Sequence, residues 1–394
     1  MKFWSGITLC GVLVTVVLAA CTTAPPSVTP VGVRGPASPT PSGAPTPAAS
    51  ATPTSHPSAT PTPTATPTPT ATPTAMAQSS IYVSNSGDNN ITVYAPNPNG
   101  TINESPVAQI NGTNTGLAEP YGIAVDASGK IYVANKLGGG GSGSITVYAA
   151  NPSGTINETP LATIAGTGTG LNGPEAIALD ASGNIYVANF ADTITVYPPN
   201  PSGTLNEAPL ATITGAATQL TSPYGIAVDT TGKIYVANEL GGNNVGYSGS
   251  ITVYAANPSG TLDETPLGEI IGSNTGLNDP IGVAVDASGN ICVVNFGGPS
   301  GSNVIVYAPN PSGVQNEVPF ATIVGSATGL GTSTAIALDS AGKIYISNSY
   351  GGGNNIGAIT VFPANPGGTL NEAPAGTITG TNSRLNYPQG VAVH

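Results

Sequence analysis

One phrase, repeated along the chain with small edits, decides most of what this sequence can fold into. "PYGIAVDASGKIYVAN" at residues 120–135 returns as "PYGIAVDTTGKIYVAN" at 223–238. Aligned on the aspartate of "AVD", the copies fall at Asp126, Asp180, Asp229, Asp286 and Asp339, with spacings of 54, 49, 57 and 53. The final "PQGVAVH" puts His394 at the sixth position, another 55 on. Leu117, Leu171, Leu220, Leu277, Leu330 and Leu385 repeat the same intervals independently. A unit of this size cannot bury an apolar face alone, so its copies must pack on one another in a stack or a ring.

Each unit reads as four short strands. In the unit that begins at Pro120 they are "GIAVD", "KIYVAN", "ITVYAA" and "LATIAG", rich in Ile, Val, Tyr and Thr. The turn "DASGK" joins the first two, with Gly129 free to take the left-handed conformation of a tight hairpin. "NPSGTINETP" reads as the turn between the last two, with Pro and Gly at turn positions. No segment of the repeat region shows sustained helical periodicity. Four-stranded units arranged radially are β-propeller blades. The region starts with "IYVSN" (81–85), a second strand, and stops at "GVAV", a first strand. Those fragments complete one blade between them, so the expected fold is all-β: a six-bladed β-propeller of four-stranded blades, closed by the N- and C-terminal strands.

The two quoted phrases resemble NHL repeats, the units of six-bladed propellers, over essentially all of 79–394. The resemblance implies the fold and says little about function, because propellers host many activities. It also departs from the usual NHL pattern. "ITVY" and the long "NPSGTxNExP" segment stand where that family carries an Arg-bearing third strand.

Upstream of the repeats lie two segments of different character. Residues 1–20 read as a signal peptide: Lys2, an apolar run from Ile7 to Ala20, and small residues before Cys21. "LAAC" resembles the bacterial lipobox, which implies lipidation of Cys21 and an extracytoplasmic, lipid-anchored protein of the bacterial cell envelope. With Thr22 after the cysteine, the resemblance implies the outer membrane in a Gram-negative organism. Residues 21–78 are Pro, Thr, Ala and Ser with no acidic residue, the composition of a disordered tether. At ~3.1 Å per residue, such a tether reaches on the order of 170 Å. Once Cys21 is lipidated and Cys10 removed, Cys292 stands alone, so neither a disulfide nor a zinc cluster is expected.

Repetition also sorts candidate sites. An aspartate needed once for chemistry would not appear in five blades, so Asp126 and its counterparts are expected to fix hairpin turns. The same holds for the "NE" glutamates: Glu104, Glu158, Glu207, Glu264, Glu317 and Glu372. Function belongs to what varies. The loops after the second and fourth strands share one propeller face, and those after the second include "KLGGGGSGS", "ELGGNNVGYSGS" and "SYGGGNNIGA". Of the nineteen Tyr and Phe in 79–394, twelve sit at strand positions. The other seven fall on the loop face: Tyr121, Phe190, Tyr224, Tyr247, Phe296, Tyr350 and Tyr387. Six asparagines end the second strands on that side: Asn85, Asn135, Asn189, Asn238, Asn295 and Asn348. Rings supply contact area and amides supply directional bonds, a combination that suits a glycan, peptide or protein partner.

The competing reading is an enzyme. At fold level the chain resembles gluconolactonase-type propellers, which hold a divalent metal on the axis. That resemblance singles out Glu175 with Asn189 and Asn238 as oxygen ligands for Ca2+, in a lactonase-like hydrolase. The several acids of that family pattern are not present. Streptogramin-lyase-like propellers use a histidine base, yet the only histidine of the repeats is His394, expected on the opposite face. A serine triad lacks its histidine for the same reason. A third reading is a purely structural scaffold. Nucleic acid is excluded as a partner, since nineteen acidic residues face five basic ones in 79–394, a net of −14. The sequence thus favours a binding module with no cofactor and no catalytic residue.

Overall fold

The computed structural model describes residues 80–241, 249–297, 301–351 and 356–394. The chain divides into two units, Met1–Thr72 and Pro73–His394, and the described residues all belong to the second. The signal segment, Cys21 and the tether therefore lie outside them, as does Tyr247.

Six sheets, each with an antiparallel four-stranded core, form six blades, and the fold is the expected six-bladed β-propeller. The blade beginning at Pro120 has a first strand Pro120–Val125, a second Ile131–Asn135, a third Ser144–Tyr148 and an outer strand Ala162–Ala165. The ring closes where the sequence pattern placed it. The C-terminal strand Pro388–Val393 pairs antiparallel with Ile81–Asn85, with Val393 opposite Ile81. Among the described residues the only helices are single 3-10 turns, such as Ala216–Thr218.

The Ile-to-Asn stretch of each second strand is buried at every position, because neighbouring blades cover both faces of each inner sheet. The cores accordingly sit between blades. In one, Tyr132, Ile145, Val147 and Ile164 of one blade pack with Ile177, Ile185, Val187 and Tyr197 of the next. Burying one such side chain contributes about 1.5–3 kcal/mol. Third-strand tyrosines also tie down the loops: Tyr148 donates to the Thr115 carbonyl at 2.6 Å and Tyr197 to that of Thr169 at 2.8 Å. One of the twelve strand aromatics departs from expectation. Phe320 stands just before the outer strand Ala321–Ile323 and is 47% exposed on the rim.

The repeated aspartates do what turns require. Asp126 Oδ1 accepts the Ser128 and Lys130 backbone N–H groups at 2.8 and 3.0 Å, and its other oxygen accepts the Tyr132 hydroxyl. Asp180, Asp229, Asp286 and Asp339 each accept the N–H two residues on.

"NPSGTINETP" is more than a turn. Its "GTI", Gly154–Ile156, pairs in parallel with the outer strand Ala108–Ile110 of the preceding blade. All six blades carry this clasp, so each sheet gains a fifth strand from its neighbour. The following residue completes the link: Asn157 Oδ1 accepts the Asn114 N–H at 2.9 Å, and Asn206 accepts that of Gly168 at 2.7 Å.

Candidate binding site

The first strand of every blade carries a register shift just after its opening residue, and this irregularity builds the site. Pro174 pairs with Asn189 and Ala176 with Ala188, which leaves Glu175 as the extra residue. The same shift frees Tyr224, Ile281, Thr334 and Gln389. In the Pro120 blade it spans Tyr121 and Gly122. A bulge turns a side chain out of the sheet's alternation. Here the six freed residues ring the mouth of the axial channel. The glycine after the bulge has a steric reason: a Cβ on Gly122 would lie 2.7 Å from the Ala176 backbone of the next blade.

Above this ring opens a bowl of about 240 Å³. It is lined by Tyr121, Tyr224, Phe296, Tyr350 and Tyr387, with Glu239, Ile281, Thr332, Thr334, Ser349 and Gln389. Tyr350 and Tyr387 meet edge to face with centroids 5.0 Å apart, and Tyr121 lies 6.5 Å from Tyr224. Phe296, Tyr350 and Tyr387 are each more than 40% exposed. The channel beneath narrows to about 70 Å³, room for water and little else.

Glu175 is not open to the bowl. Its side chain is fully buried and forms an ion pair with Lys136, Nζ lying 2.7 Å from Oε1. The second carboxylate oxygen, Oε2, has no hydrogen-bond partner among the described residues. Burial pushes Glu175 above the ordinary carboxylate range; Lys136 pulls against this, while Glu239 and Glu119 add to it. Burial alone would depress the Lys136 ammonium, but the Glu175 carboxylate outweighs it and holds the group above the usual lysine range. Lys136 is therefore charged. Its Nζ lies 4.5 Å from the Tyr121 ring centroid, 5.7 Å from Phe190 and 6.0 Å from Tyr224.

Five of the seven loop-face aromatics thus share one bowl, and Phe190 joins Tyr121 and Tyr224 around Lys136. The six asparagines do not join them. All six are fully buried. In five blades the side-chain oxygen accepts the N–H seventeen residues back, as Asn135 does from Ala118 at 3.1 Å; Asn85 accepts from Asn386 across the closing seam. The Asn135 amide donates to Thr146 Oγ1 at 3.0 Å. These amides lock each entry loop to its second strand.

A calcium ion among Glu175, Asn189 and Asn238 does not fit. Both amide oxygens accept backbone N–H groups at 3.1 Å, and the carboxylate already faces an ammonium. Calcium takes six to eight oxygens, and among the described residues no group of three or more His, Cys, Asp or Glu converges to begin such a shell. His394 sits beside the Gly129 turn, and burial pushes the Cys292 thiol up to about 12. Neither supplies a base or nucleophile to the bowl.

Sequence reading missed Lys136, which lies one residue past a second strand and meets Glu175 only across blades. It also missed Leu137 and Leu240, both 54% exposed and next in sequence to Lys136 and to the bowl residue Glu239.

The fold and the site together define a closed six-bladed β-propeller with an aromatic bowl at one axial mouth. A family model described as strictosidine synthase-like, N-terminal, matches residues 161–189. That stretch covers one outer strand and the first two strands of the next blade, a propeller segment within a much longer chain. No curated protein matches. Among solved structures, a chain of the "Crystal Structure of Mitotic Checkpoint Complex" aligns with a TM-score of 0.44 at 10% identity. The alignment covers 77% of this chain and 78% of that chain.

Proposed function

We propose that this chain is a lipid-anchored bacterial envelope protein whose NHL-like propeller binds a peptide, protein or glycan through its loop face, without chemistry of its own. The observation that carries the reading is the convergence of five aromatic side chains on one bowl of about 240 Å³. Three of those rings are more than 40% exposed, as is Phe190, which shares Lys136 with Tyr121 and Tyr224. Exposed rings gathered at one mouth mark a contact surface, whereas a scaffold has no use for them. The bowl is below the ~300–1,000 Å³ of pockets that enclose a whole small ligand. It suits one side chain or sugar ring of a longer partner lying across the face.

The anchor rests on the sequence: the lipobox-like "LAAC" supports lipidation of Cys21, and the composition of 21–78 supports a tether between lipid and propeller. Metabolic labelling with a radioactive fatty acid tests that part, and Cys21→Ser should abolish the label. Arrays of peptides and glycans test the binding. The double variant Phe296→Ala/Tyr350→Ala should lose at least tenfold in affinity while melting as the wild type does. Equal binding by the two proteins would overturn the reading.

A further inference from the structure

Three aromatic rings and a buried carboxylate surround the Lys136 ammonium, and this arrangement says more about the ligand than the bowl's size does. Ring faces attract cations, most strongly where water is excluded. The Glu175 carboxylate has no exposed surface; Lys136 meets Oε1, and Oε2 has no hydrogen-bond partner among the described residues. The space between Tyr121, Phe190, Tyr224 and Glu175 therefore selects for positive charge. Lysine fills it imperfectly: its ammonium carries three N–H donors, and ring faces are weak acceptors for them. A methylated ammonium has fewer donors or none, and more apolar surface to set against the rings.

Lys136 is also placed to leave. Its backbone N–H is held by the Glu119 carbonyl at 3.0 Å, while its side chain remains 28% exposed beside Tyr121 and Tyr224. Only side-chain torsions must change for the ammonium to swing out, and Tyr121 and Tyr224 already belong to the bowl's lining.

We propose that the cage formed by Tyr121, Phe190, Tyr224 and Glu175 recognises a methylated organic ammonium on the ligand, with Lys136 occupying the cage in the free protein and vacating it on binding. This rests on the reading of the bowl as the binding site. It predicts self-competition: removing the lysine charge should improve binding, the reverse of what losing a direct ligand contact does.

The test is calorimetric titration of the full-length chain in detergent micelles with tetramethylammonium. Lys136→Met keeps an apolar stem of similar reach and removes the charge. It should bind the probe at least tenfold more tightly than the wild type, and Glu175→Gln on that background should lose the gain. A melting midpoint of Lys136→Met that rises with tetramethylammonium gives a second readout of the same event. A trimethyl-lysine peptide and phosphatidylcholine vesicles, offered to the same variant, distinguish a protein from a lipid source of the group. A folded Lys136→Met that binds the probe no better than the wild type overturns the inference. If array binding still depends on Phe296 and Tyr350 in that case, the cage falls and the bowl stands. If nothing on the arrays binds, the bowl reading falls by its own test.

Discussion

Glu269 shows how one substitution changes the energetics of a repeat. It is the middle residue of the outer strand Gly268–Ile270, buried, and its Oε1 has no partner. In the closing blade the same position is Gln109, whose Oε1 accepts from Arg384 at 3.1 Å. The counterpart of Arg384 near Glu269 is Gln219, which donates to the Ala216 carbonyl instead. Both residues are left-handed, with φ of 61° and 57°, so the backbone already suits an arginine. Gln219→Arg should raise stability by about 1.5–3 kcal/mol, the worth of a hydrogen bond to a charged group, seen as a higher melting temperature. Burial also raises the Glu269 pKa, so the folded state favours the protonated form. Its contribution is greatest below the ordinary glutamate range and is lost as pH rises through the folded value. Gln219→Arg should flatten that part of the stability profile. Asp126 and Asp229 have the opposite sign. Burial works against their charge, but hydrogen bonds from Ser128 and Thr231, neighbouring backbone and tyrosine hydroxyls hold both below the ordinary aspartate range. Their contribution is present above about pH 4 and is lost as pH falls further. Urea unfolding from pH 3 to 8 separates the two limbs.

Among elements, the inner strands were legible and the clasps were not. "IYVAN" and "ITVY" announce themselves by β-branched and aromatic residues, buried throughout. "GTI" is three residues, mostly exposed, inside a Pro- and Gly-rich segment, so local composition matches a turn. What makes it a strand is an outer edge supplied by the preceding blade, and a single unit carries no sign of that edge. The asparagine ring hides for a related reason: a strand-ending Asn looks the same whether its amide faces a ligand or an entry loop. The clasp has a definite expected worth. Asn206→Ala removes one hydrogen bond to Gly168, and the freed N–H can reach water, so the cost should be about 1 kcal/mol. Gly166→Ala should cost more, above about 2 kcal/mol. Its φ is 113° and the new Cβ would stand 2.6 Å from the Asn206 side chain. Denaturant unfolding of each variant gives both figures.

At the scale of the molecule, the ring depends on one seam that covalent continuity does not supply. Ile81–Asn85 finds its inner neighbour only when Pro388–Val393 returns to it, and His394 N–H closes the join on the Ser80 carbonyl at 3.1 Å. Deleting residues 388–394 should leave an unpaired inner edge, broaden the thermal transition and bring aggregation, which calorimetry and light scattering would register. The chain order of strands showed this closure because a unit was split between the two ends. The loop face was legible in outline, as the place where varying residues collect. Its internal arrangement was not, since the Lys136–Glu175 pair forms between adjacent blades and no local pattern marks it.

The proposed partner site is the bowl. Site-specific photo-cross-linking in intact cells tests this most directly, with a benzophenone amino acid placed at Tyr350 or at Phe320. Both positions are exposed, one in the bowl and one on the outer rim. A discrete adduct from Tyr350 with none from Phe320 is the predicted result. Equal adducts from both positions, or none from Tyr350 in a folded, anchored protein, would contradict it.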